Sequence, residues 1–165
     1  MCRRSSFSSS SISLLIWSCN AEGVEAMKWK EIDRGYIVRL ERGEEVLSSL
    51  TEFVRQQHIE GGTVQGLGAV KDLVLGIFDP QKQEYVKRTF REDLELANLT
   101  GNISYLNGNP MLHCHVTAAG PDLRAYAGHL FSAVVSVTGE FVITTVGPRL
   151  TRALDEEVGL NLLKL

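Results

Sequence analysis

Two alternating segments joined by Asn107-Gly108 constrain this chain more than any other feature. From Leu96 to Leu106 the residues fall into two sets. Ala97, Leu99, Gly101, Ile103 and Tyr105 form one, and Asn98, Thr100, Asn102 and Ser104 form the other. Side chains of a strand point to opposite faces in turn, so this is a half-buried strand. Asn-Gly is a strong hairpin signal, because both residues tolerate positive φ. The partner strand, Met111 to Ala118, alternates too. Leu112, Cys114, Val116 and Ala118 make a uniformly apolar face, which must be the core side. Met111, His113, His115 and Thr117 take the other face, and a two- or four-residue loop aligns them with Asn98, Thr100 and Asn102.

The rest of the pattern agrees with a sheet built from hairpins. Tyr36 to Leu40 reads as a strand. Glu44 to Gln57 reads as a helix, with Val46, Leu47, Leu50, Phe53 and Val54 at helical spacing and Glu44 and Glu45 favouring its N-terminus. Gly61-Gly62 closes that segment. Strands follow at Thr63 to Val70, Asp72 to Phe78, Tyr85 to Arg91, Ala125 to Val135 and Glu140 to Val146, and the apolar end, LNLLKL, reads as a last strand. One helix followed by successive hairpins predicts an α+β fold, a mostly antiparallel β-sheet packed with one main amphipathic helix. The domain is expected over residues 27–165. Residues 1–26 are serine-rich and differ from everything after them. They are expected to be a disordered extension, a processed leader, or sequence upstream of a true start at Met27, the reading preferred here.

Composition excludes several classes of function. With a net charge of −3 the chain lacks the basic surplus of a dedicated nucleic-acid binder. Lys87, Arg88 and Arg91 are its tightest basic group and read as a solvated strand face. No apolar run reaches 18 residues, so no transmembrane helix and no membrane partner are expected, and a cytoplasmic location is. Three irregularly spaced cysteines, Cys2, Cys19 and Cys114, make no disulfide framework. Cys114 reads as a small buried hydrophobe. GLGAV at Gly66 to Val70 is not a phosphate loop, since no glycine loop opens a helix there.

Three of the four histidines, His113, His115 and His129, lie within 17 positions. A turn centred on Pro121 would pair Thr117 with Ala125 and set His113 opposite His129, with His115 as diagonal neighbour. Opposed strand residues have Cβ atoms roughly 5 Å apart and diagonal ones about 7–8 Å, within reach of converging imidazoles. A histidine pair alone occurs by chance; the third in register favours a metal site. Three neutral imidazoles suit a divalent transition metal, zinc first, and leave one coordination position open. Glu95 is a candidate base by sequence proximity only. His58 is explained by the helix end.

The stretches GLGAVKDLVLGIFD (Gly66 to Asp79), LELANLTGNIS (Leu94 to Ser104) and LHCHVTAAGPDLRAYAGHL (Leu112 to Leu130) resemble the plant and prokaryote conserved (PPC) domain family. The last is the most specific: a histidine pair, a short Gly/Asp turn, then Gly-His-Leu. Leu94 and Ala97 depart from the family's Phe-Glu-Ile-Leu-type motif. The resemblance implies a compact α+β domain that assembles as a homotrimer, with His113, His115 and His129 at positions where prokaryotic members can hold a metal. Plant members carry this domain beside AT-hooks that grip DNA; this chain has no such hook. The expected function is therefore a metal-binding regulatory module associated with DNA through partners. The alternatives are a metal-dependent hydrolase of a small molecule and a direct, non-specific DNA binder.

Overall fold

The computed structural model describes residues 27–165, so the expected N-terminal extension lies outside the described residues. The elements are β1 (Lys28–Ile32), β2 (Gly35–Leu40), α1 (Val46–Gln56), β3 (Gly62–Asp79), β4 (Glu84–Phe90), β5 (Leu94–Leu106), β6 (Asn109–Ala119), β7 (Ala125–Thr145), β8 (Thr151–Asp155) and β9 (Leu160–Lys164). All nine strands among the described residues join one sheet. Its pairings are antiparallel apart from a single parallel bridge between Tyr105 and Thr151. The expected α+β architecture with one main helix is what forms.

The helix begins at Glu45, whose carboxylate accepts hydrogen bonds from the Leu47 and Ser48 N–H groups. That satisfies two of the donors a helix leaves unpaired at its start. Its stop is His58 rather than the glycine pair. His58 adopts φ +54°, its N–H donates to Arg55 O at 3.3 Å, and the Ile59 N–H donates to Val54 O at 3.0 Å. This crossed pair of bonds is the left-handed terminus of a Schellman motif. Val46, Leu50, Phe53 and Val54 are wholly buried, each worth about 1.5–3 kcal/mol in apolar transfer. Trp29, Tyr36 and Phe53 stack edge to face beside them, with centroids 5.2–5.7 Å apart.

Two long strands organise the sheet. Sequence reading divides each of them in two, but β3 and β7 run unbroken through 18 and 21 residues. Bulges replace the expected breaks. In β3, Asp72 turns to φ +49° and the register with β7 shifts around it. Each long strand thereby serves different neighbours along its length: β3 pairs with β4, β5 and β7, and β7 with β2, β3 and β6. Because β6 joins β5 to β7, the pairings close a ring β3–β5–β6–β7 around the core. A further bulge between Leu96 and Asn98 leaves Ala97 exposed, off its expected face, while Leu96 and Leu99 are buried.

The hairpin between β5 and β6 closes as its sequence foretells. Leu106 pairs with Asn109, and Asn107 and Gly108 take φ values of +51° and +80°. This two-residue turn matches the twist of the strands. The apolar end forms the expected last strand, β9, and β8, which the sequence reading did not place, pairs with it as a hairpin. The first strand, β1, has no clear signal in the sequence; it pairs with β2 along its whole length.

Candidate metal centre

The three imidazoles come from adjacent strands on the outer face of the sheet. Leu112, Cys114, Val116 and Ala118 are buried on the inner face of β6, which turns His113 and His115 outward. The expected register is wrong by two residues. Thr117 pairs with Ala127, not Ala125, so His115 stands directly opposite His129 and His113 is the diagonal neighbour. The reason is the turn. β6 continues to Ala119, and the loop uses Gly120 to Arg124, tied by the Leu123 N–H to Gly120 O at 2.9 Å and by the Arg124 N–H to the Asp122 carboxylate at 3.1 Å. A slip of two residues preserves faces, whereas a slip of one would have sent the histidines to opposite sides.

The rings form a triangle. Centroids lie 5.2 Å apart for His113 and His115, 5.0 Å for His113 and His129, and 5.5 Å for His115 and His129. One nitrogen from each falls within 4.8 Å of the other two. Nitrogens around a single tetrahedral ion stand about 3.4 Å apart, given bonds near 2.1 Å, so modest ring rotations suffice to close on one ion. Nδ1 of His129 is buried and has no hydrogen-bond partner; an unpaired buried nitrogen of this kind fits a metal ligand. The donor set fits as well, since neutral imidazole binds divalent transition metals.

Burial keeps two of the imidazoles neutral. It holds His113 below the ordinary imidazole range, with Arg152 and His115 adding to the effect. It pushes His129 down to about 4, with His113, His115, Lys87 and Arg152 acting in the same direction. A proton would therefore compete weakly with an ion for these nitrogens.

Aromatic rings wall one side. Tyr85 and Phe131 stand 5.0 and 4.8 Å from the His129 ring and pack edge to face on each other. Gly76 makes this possible. A Cβ there would come within 2.6 Å of the Phe131 ring and 3.1 Å of Tyr85. Gly128 serves the same region through backbone approach, since a Cβ there would come within 2.9 Å of the Gly76 carbonyl oxygen. Lys87 Nζ sits 3.7 Å over the Phe131 ring, and Arg88 covers Phe90 and Tyr126. Both bases are exposed, on opposite faces of β4, and each lies over an aromatic ring.

The other side carries a residue that sequence reading missed. Arg152 of β8 is only 9% exposed. Its Nε donates to Ser104 Oγ at 2.8 Å, Nη1 to Asn161 O at 2.7 Å, and Nη2 to Asn102 Oδ1 at 2.7 Å. Nη2 also lies 3.3 Å from His113 Nδ1. A guanidinium only donates, so His113 meets it through a bare Nδ1. Asn102, which alternation places on the histidine face, thus anchors the arginine.

The other sequence candidates fall elsewhere. Glu95 pairs with Ala119, four residues along β6 from His115. It lines a separate cavity of about 570 Å³ with Arg42, Lys71 and Asp93. His58 is exposed at the helix end. Burial pushes the Cys114 thiol up to about 12, which suits a core residue and not a ligand.

Residues 27–147 match the family model of the Plants and Prokaryotes Conserved (PCC) domain. A putative DNA-binding protein from Bacteroides thetaiotaomicron is 37% identical, with a TM-score of 0.81 over 84% of this chain and 97% of its own. A metal-containing protein from Archaeoglobus fulgidus is 37% identical, with a TM-score of 0.75 over 82% of this chain and 96% of its own. A plant- and prokaryote-conserved protein from Pyrococcus horikoshii is 30% identical, with a TM-score of 0.75 over 82% and 94%. No curated protein sequence matches this chain. With that family model spanning every element from β1 to β7, this chain belongs to the plants and prokaryotes conserved domain family.

Proposed function

We infer that this protein is a metal-binding regulatory module that holds one divalent transition ion, zinc by preference, on His113, His115 and His129, and that it works as a homotrimer. The observation that carries the reading is the convergence of three ligand nitrogens within 4.8 Å on one face of adjacent strands. The metal-containing relative from Archaeoglobus fulgidus supports it. Three protein ligands leave a fourth position for an exchangeable group, as in open zinc sites. When bound, the ion would act there as a Lewis acid. The chain's own contribution is to hold the His113 and His129 rings neutral, brace His129 against Tyr85 and Phe131, and limit water on that side.

A binding role is favoured over hydrolysis, because no carboxylate among the described residues joins the cluster and Glu95 faces a different cavity. Exposed apolar side chains, among them Leu67, Ile77, Val86 and Val137 at 54–68% exposure, support self-association. The DNA-binding names of relatives are read as association through partners, since the net charge of −3 gives no electrostatic grip on phosphates.

Elemental analysis of the purified protein tests the metal reading. Stoichiometric zinc in the wild type and its loss in His129→Ala are expected; equal metal in both would refute it. Sedimentation tests the trimer. Retention on DNA at low ionic strength is expected to be absent, and salt-sensitive retention would restore direct binding.

A further inference from the structure

We propose that the metal site takes a small oxyanion, a carboxylate or phosphate group, as its exchangeable ligand, and that Arg152 of the C-terminal hairpin holds it. This rests on the metal reading above and adds the class of ligand.

Charge is the first argument. Arg152 is nine-tenths buried, and its partners are a hydroxyl, an amide oxygen, a backbone carbonyl and an imidazole, all neutral. No carboxylate among the described residues pairs with it. Buried charges are ordinarily paired. A divalent ion on three neutral imidazoles would keep its full charge beside this guanidinium, with Lys87 over the neighbouring Phe131 ring as a further cation. Only an anion relieves such a collection.

Hydrogen bonding is the second. A guanidinium has five N–H donors; three point at Ser104, Asn161 and Asn102, and a fourth at His113 Nδ1. Metal loading must end the fourth contact. If Nδ1 is the ligand, its lone pair goes to the ion. If Nε2 is the ligand, the neutral ring carries its proton on Nδ1. Either way Nδ1 stops accepting, and Arg152 gains a free N–H beside His113. Together with the uncommitted fifth donor this makes two, the fork that suits a carboxylate or phosphate. Loading and anion capture are therefore linked, each strengthening the other. Arg152 lies beyond residues 27–147, the stretch the family model matches.

The test uses the full chain loaded with Co²⁺, whose visible bands report coordination. Acetate, inorganic phosphate and, as a charge-only control, chloride are titrated into wild type, Arg152→Gln and Lys87→Gln. In wild type, acetate or phosphate is expected to shift the bands saturably, and the tighter of the two assigns the ligand class. Arg152→Gln should still load Co²⁺ but bind the oxyanion at least about tenfold more weakly, and Lys87→Gln about threefold more weakly. Should Arg152→Gln fail to fold, Arg152→Lys, which keeps the charge and loses the fork, is expected to weaken binding about threefold. Loaded wild type that ignores both oxyanions, or that binds chloride equally well, overturns the proposal. So does unchanged anion affinity in a folded Arg152 variant. Failure of wild type to load Co²⁺ at all is a different result: it removes the metal reading beneath.

Discussion

The two faces of β6 place a cysteine and two histidines next to one another in sequence and give them opposite fates. Cys114 faces the core and is wholly buried; His113 and His115 face outward. Desolvation favours the neutral form of each group it acts on. It pushes the thiol up to about 12 and the neighbouring His113 imidazole below its ordinary range. The chemical consequences diverge, because the neutral imidazole is the metal ligand, whereas a thiol binds metal only as thiolate. One physical cause thus arms His113 and disarms the cysteine beside it.

Changing the inner face should give the largest effect. Val116→Asp places an unpaired carboxylate where Val116 is 2% exposed and should cost about 4 kcal/mol or more. Chemical denaturation would measure it, and a loss under about 1 kcal/mol would mean that this face is not the core. On the outer face the expected pattern reverses. His115→Ala and His129→Ala should lower metal affinity more than about 100-fold, beyond the usual effect of losing a supporting group. Their metal-free stability should stay within about 1 kcal/mol of wild type. Equilibrium dialysis and thermal melts separate the two quantities.

The pH response sharpens the same contrast. His129 titrates near 4 in the folded chain against about 6.5 unfolded, so between those values the unfolded state binds more protons. Its contribution to stability is complete above about pH 6.5 and is lost as pH falls toward 4, with a slope of at most about 1.4 kcal/mol per pH unit. Denaturation of metal-free protein at pH 7, 6 and 5 should show the decline, and His129→Ala should flatten it. The smallest effect is expected at Cys114. Cys114→Ala should cost about 1 kcal/mol and leave metal affinity unchanged. The native thiol should resist a disulfide reagent that modifies it rapidly once the chain unfolds; fast native labelling would contradict its burial.

Much of the site was legible before any fold was known. Alternation over Leu112 to Ala118 set the core face and the histidine face, and Asn107-Gly108 fixed the hairpin that aligns Asn102 with His113. A turn centred on Pro121 puts the register of β7 two residues off, because β6 extends to Ala119. The error left the triangle intact because side-chain direction repeats every two residues. Ala97 shows the limit of that rule, since one bulge at Leu96–Asn98 reverses the assignment of a residue beside it.

By itself the sequence determined local periodicity, hence the faces, the helix, the hairpin and the histidine set, all of which depend on residues close along the chain. Tertiary structure alone decided that Arg152 touches His113 from 39 residues away, and that Tyr85 and Phe131 brace His129 over the bare Gly76. These meetings follow from the bridge of Tyr105 to Thr151 and the bulged course of β3 beside β7. Such long-range closures leave no periodic trace, because each arises from the balance of packing over the whole sheet and not from any segment's own pattern.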